Sequence, residues 1–164
     1  MRAALLAAVL LLAACTGASP DPSGDPVRIL MTDAPSIGEP FTVHLVADEA
    51  DYLDGWRATT LSGAPPRVDF ATEVAIYLGM AGSSSCPTTF EHLVVDEDAA
   101  RVYAEWNDQT LSGQPCTADL APQGVLIAVR RDALPAGEFM LSLRPEIMCP
   151  NCPGPPDWER VTVR

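Results

Sequence analysis

The chain has 164 residues, with 22 acidic side chains against 10 basic ones and a formal net charge of −12. That length suits one ordinary domain with a leader and a linker. All ten basic residues are Arg, which excludes Schiff-base chemistry, a Lys general base and a P-loop. His44 and His92 are the only imidazoles, so mechanisms needing several are excluded too. So acidic a chain is repelled by nucleic acid and by anionic lipid, and no nucleic-acid partner is expected. A solvated acidic surface is the plain reading, and binding of a basic partner or of cations is the sharper one.

Met1-Arg2 gives a minimal basic start, and residues 3–14 are unbroken Ala, Leu and Val. As a helix that run spans roughly 18 Å, short of the ~30 Å of a bilayer core, so it predicts a signal-peptide core rather than a membrane anchor. It ends in Leu12-Ala13-Ala14-Cys15, which resembles the lipobox of bacterial lipoproteins. The resemblance implies cleavage before Cys15, a thioether from its sulfur to diacylglycerol, and a fatty acyl group such as palmitate. No separate cofactor is expected. The mature chain would then sit at the extracytoplasmic face of a cell membrane, held there by lipid. Thr16 follows Cys15, so a retention signal of the Asp type is absent. Residues 15–26, rich in Gly, Ser and Pro after the cysteine, read as a lipidated flexible tether, and residues 27–164 as the folded domain.

Along the domain, short apolar or alternating runs recur at 27–31, 41–47, 68–80, 90–95, 101–106, 124–130, 138–144 and 159–163, with a weaker ninth at 56–61. Phe41-Thr-Val-His-Leu-Val and Phe139-Met-Leu-Ser-Leu alternate as half-buried strands do. Gly- and Pro-containing breakers separate the runs, and 16 Pro spread along the chain oppose long helices. One surface turn of helix is expected within 48–56, from its acids and Leu53. The pattern predicts an all-β fold, an Ig-like antiparallel β-sandwich of about eight or nine short strands, with a small β-barrel as the alternative.

Four cysteines remain besides Cys15: Cys86, Cys116, Cys149 and Cys152. An even number in an exported domain points to two disulfides, with three pairings open. Cys86–Cys116 with Cys149–Cys152 is favoured, because Cys86 and Cys116 each lie in a turn beside a strand. Cys149-Pro-Asn-Cys152 is also the pattern of a redox centre or half a zinc site. Pro153-Gly-Pro-Pro156 follows it, where thioredoxin-type chemistry needs a helix, and tetrahedral zinc needs further ligands. A structural bridge is therefore expected, with no metal.

No catalytic residues are expected. Ser83–Ser85 with His92 and a nearby acid lack the elbow of a serine hydrolase, and His92 falls on a strand. His44 alternates with Val43 and Leu45 and should face solvent or a hydrogen-bonded edge. The acids of 48–54 and 96–98 do not follow a calcium-loop spacing. Trp106 and Trp158 are candidate binding anchors, and core or rim packing is the commoner fate of Trp.

Two resemblances concern the domain itself. Val68-Asp-Phe-Ala-Thr-Glu-Val-Ala-Ile-Tyr-Leu-Gly79, Ser-Ser-Ser-Cys-Pro87 and Cys116-Thr-Ala-Asp119 are similar to a pattern in uncharacterised exported actinobacterial proteins. That resemblance covers about a third of the chain, implies the Cys86–Cys116 pairing and implies no activity. Cys86-Pro-Thr-Thr-Phe90 and Ala136-Gly-Glu-Phe-Met-Leu-Ser-Leu-Arg-Pro145 more faintly resemble two loops of chagasin-like cysteine-protease inhibitors, which are β-sandwiches. The first of those loops here lacks the family's Asn and Gly. Three functions are thus in view: a non-catalytic binding module for an envelope protein partner, a protease inhibitor, and a thiol or metal-binding protein using Cys149 and Cys152.

Overall fold

A computed structural model describes residues 24–32, 41–59, 63–108, 113, 115–144 and 158–163. Cys15, Cys149 and Cys152, with the leader and tether up to residue 23, lie outside the described residues. Within them the elements are β1 (Val27–Thr32), β2 (Val43–Val46), α1 (Glu49–Ala58), β3 (Glu73–Gly82), β4 (Thr88–Asp96), β5 (Arg101–Asp108), β6 (Ala121–Arg130), β7 (Gly137–Ser142) and β8 (Trp158–Val163). A short 3-10 turn, Arg131–Ala133, links β6 to β7.

The strands form two four-stranded sheets, ordered β1-β6-β3-β2 and β4-β5-β7-β8. Alternation along each strand explains why they face each other. Val74, Ile76, Leu78 and Met80 of β3 and Val125, Ile127 and Val129 of β6 enter one apolar core with Val102, Ala104, Phe139, Leu141 and Val161 of the second sheet. The expected β-sandwich is what forms, and the sheets do not close into the alternative barrel. One pair departs from the antiparallel pattern: β5 and β7 run parallel. After β5 the chain crosses to the first sheet as β6 and returns, and a strand that returns by way of the opposite sheet lies parallel to its predecessor.

The central strands of the first sheet, β3 and β6, are buried on both faces. On the outer side of the sheet, Ala75 and Tyr77 of β3 and Leu126 of β6 pack against Tyr52 and Trp56 of α1. This explains why β3 reads as a continuous apolar run rather than an alternating one. The 10-residue helix is longer than the single surface turn expected from sequence. Asp48 caps it, its carboxylate accepting from the Asp51 amide at 2.9 Å. Tyr52 and Trp56, four apart, share the face that covers the sheet. Their polar atoms are satisfied by the following segment: Tyr52 Oη donates to Pro66 O at 3.0 Å and Trp56 Nε1 to Gly63 O at 3.1 Å. Burial pushes the Tyr52 phenol up to about 12.

Two strand boundaries are corrected. The weak ninth run, 56–61, begins inside α1, because Trp56 is held on the sheet by helical spacing from Tyr52. The run 68–80 becomes strand only from Glu73, because Asp69 closes a turn before it. Thr72 and Glu73 donate their amides to Asp69 O, and the Asp69 carboxylate accepts from Ala71 N and Thr72 Oγ1.

Cys86 and Cys116 are joined, as expected, with their Cα atoms 5.6 Å apart. The bridge ties the turn after β3 to the segment entering β6, next to the Gly82–Ala121 end of the β3/β6 ladder.

Candidate functional site

The outer strands β2 of the first sheet and β8 of the second meet at one rim of the sandwich. An edge strand exposes unpaired backbone groups, and here one is covered from the other sheet. Glu159 of β8 accepts from Leu45 N at 3.4 Å and lies 3.3 Å from His44 Nδ1. Beside this contact opens a cleft of about 510 Å³, lined by β2, the first turns of α1 and β8. Asp48, Asp51, Asp54 and Glu159 face it with His44 and Arg160, so the charged part of its lining is predominantly acidic.

The electrostatics of the cleft follow from that crowding. The hydrogen bond to Glu159 raises the His44 value, partial burial works against it, and the charges of Glu159 and Asp51 add to the rise. Asp51 is itself raised, chiefly by the neighbouring charge of Asp48 and its hydrogen bond with Asp48. Both shifts report the same thing: a locally negative field that favours bound protons or cations.

A second polar cluster sits beside the disulfide. Ser83 Oγ and Ser85 Oγ lie 2.9 and 3.0 Å from Thr117 Oγ1, and Thr117 N donates to Ser85 Oγ at 2.8 Å. Asp119 accepts from Ser84 N at 3.3 Å and from Thr117 Oγ1. Hydrogen bonds from the Ser84 and Thr117 side chains hold the Asp119 carboxyl down to about 2. A carboxylate that weakly basic is a poor proton acceptor for a serine. These residues brace the bridged turns.

His92 is not brought to Ser83–Ser85. It sits on β4 with Nε2 3.4 Å from Glu105 Oε2 of β5. His44 does lie at a hydrogen-bonded edge, as its alternation implied. Trp106 packs at the core, edge-on to Phe90 at 5.8 Å, with Nε1 donating to Leu143 O at 2.7 Å. Trp158 is half-buried in β8. Of the inhibitor-like segment, residues 88–90 are built into β4 and paired with β5. The rim cleft has no counterpart in the sequence reading. Its acids stood out in the 48–54 run, whereas Glu159, 115 residues from His44, carried no local signal.

The chain matches no family model, no curated protein and no solved structure.

Proposed function

We propose that the protein is a lipid-anchored extracytoplasmic lipoprotein whose β-sandwich is a non-catalytic binding module, and that the β2/β8 cleft receives a basic segment of an envelope protein partner. The observation that carries this reading is the cleft itself. It is an open site at the meeting of two sheet edges, with four carboxylates against one Arg and one His among its charged residues. Such a lining complements Lys- or Arg-bearing chain by charge and steers its approach. Binding fits better than catalysis, because the hydroxyls of Ser83 and Ser85 pair with Thr117 and Asp119, while His44 and His92 pair with Glu159 and Glu105 on other strands, so no serine meets a base.

The anchor part rests on the lipobox-like 12–15 segment. Membrane fractions should retain the wild-type chain and lose the Cys15→Ala variant. The cleft part is tested by crosslinking in the envelope from a photoreactive residue placed at Thr162, in wild type and in an Asp48→Asn, Asp51→Asn, Asp54→Asn variant. The expected result is one crosslinked partner, lost in the neutralised variant and weakened by raised salt. A crosslink that survives both changes counts against the cleft.

A further inference from the structure

The outer face of the second sheet carries a different constellation. Along β4, Phe90, Leu93 and Val95 all pack toward the core. Phe90 and Leu93 are three apart, an odd spacing that a regular two-residue pleat does not allow. The chain resolves it with a β-bulge. Phe90 pairs with Trp106 and His92 with Glu105, which leaves Glu91 as the extra residue. The bulge turns two consecutive side chains, Glu91 and His92, to the outer face, where the β5 alternation also presents Glu105 beyond the inward Ala104 and Trp106.

The result is a three-donor set. One imidazole nitrogen of His92 and one carboxylate oxygen from each of Glu91 and Glu105 all lie within 4.8 Å of one another. His92 Nε2 and Glu105 Oε2 are 3.4 Å apart, and donors bound at about 2.0–2.1 Å to a tetrahedral zinc ion stand about 3.4 Å from each other. That edge already has the length zinc requires. Glu91 and His92 are exposed, so ordinary changes of side-chain torsion can bring the third donor in. One imidazole and two carboxylates suit zinc better than calcium, which prefers six to eight oxygens.

We propose that Glu91, His92 and Glu105 form a zinc-binding site on the outer face of the second sheet, with the remaining coordination position open to water or to a partner's donor. The site shares no residue with the rim cleft.

Zinc titration by calorimetry, on the full chain purified without a polyhistidine tag, tests it. The expected result is one ion per chain, with affinity falling about tenfold or more in His92→Ala and in Glu105→Gln. Binding should be unchanged in His44→Ala and in a Cys149→Ser, Cys152→Ser variant. Cobalt in place of zinc should give d–d bands without a thiolate charge-transfer band, and circular dichroism reports whether each variant stays folded. Absence of zinc binding overturns the proposal, as does binding that is kept in folded His92→Ala or lost only in the cysteine variant.

Discussion

At the residue scale, the His44–Glu159 contact makes a pH prediction whose sign follows from the raised imidazole. A value above the ordinary 6.5 means that the protonated ring favours the folded state. The stabilisation is complete below 6.5 and is lost as pH climbs through the raised value. Glu159→Gln should move the His44 titration, followed by NMR, back toward 6.5 and flatten stability over that interval. With the two side chains 66% and 31% exposed, the effect on stability is a few tenths of a kcal/mol. A titration midpoint unmoved by the substitution would show that Glu159 is not the cause. This pair was half legible. Alternation placed His44 toward solvent or a hydrogen-bonded edge, but its partner comes from the last strand of the other sheet, and sequence spacing carries no information about that.

At the scale of elements, apolar or alternating runs between breakers recovered the strands because each has an inner face that must be apolar, and all eight main runs correspond to strands. They understated α1. The acids and Leu53 make 48–56 read as one surface turn, and the helix owes its stability to Tyr52 and Trp56 lying on β3 and β6. Trp56→Ala should therefore cost about 3–5 kcal/mol in urea unfolding, a core-sized penalty for a residue on an otherwise polar helix. A loss below about 1 kcal/mol would mean that the helix is not a structural layer. The β4 bulge was likewise hidden. Phe90-Glu-His-Leu93 gives no local sign that two consecutive polar residues share a face, because inward Phe90 and Leu93 impose that arrangement only once the core exists.

For the whole molecule, the Cys86–Cys116 bridge closes a separation of 30 residues and holds the turns at one end of the β3/β6 ladder. Replacing both cysteines by Ser should destabilise the folded chain by about 2–4 kcal/mol in denaturant unfolding, since the unfolded ensemble regains the freedom of that loop. A change of a few tenths would show that the bridge contributes little.

The sequence by itself determined that the chain is all-β and where its strands fall along it, and it favoured the sandwich over a barrel and Cys86–Cys116 among three open pairings. Each depends on local period, on turn residues, or on a cysteine lying beside a strand end. Tertiary structure alone decided the parallel β5/β7 pair, the helix as a third layer, the acidic rim cleft and the Glu91–His92–Glu105 cluster. All four depend on which strand ends up beside which. That is settled by burying several apolar faces at once, so no single stretch of chain records it.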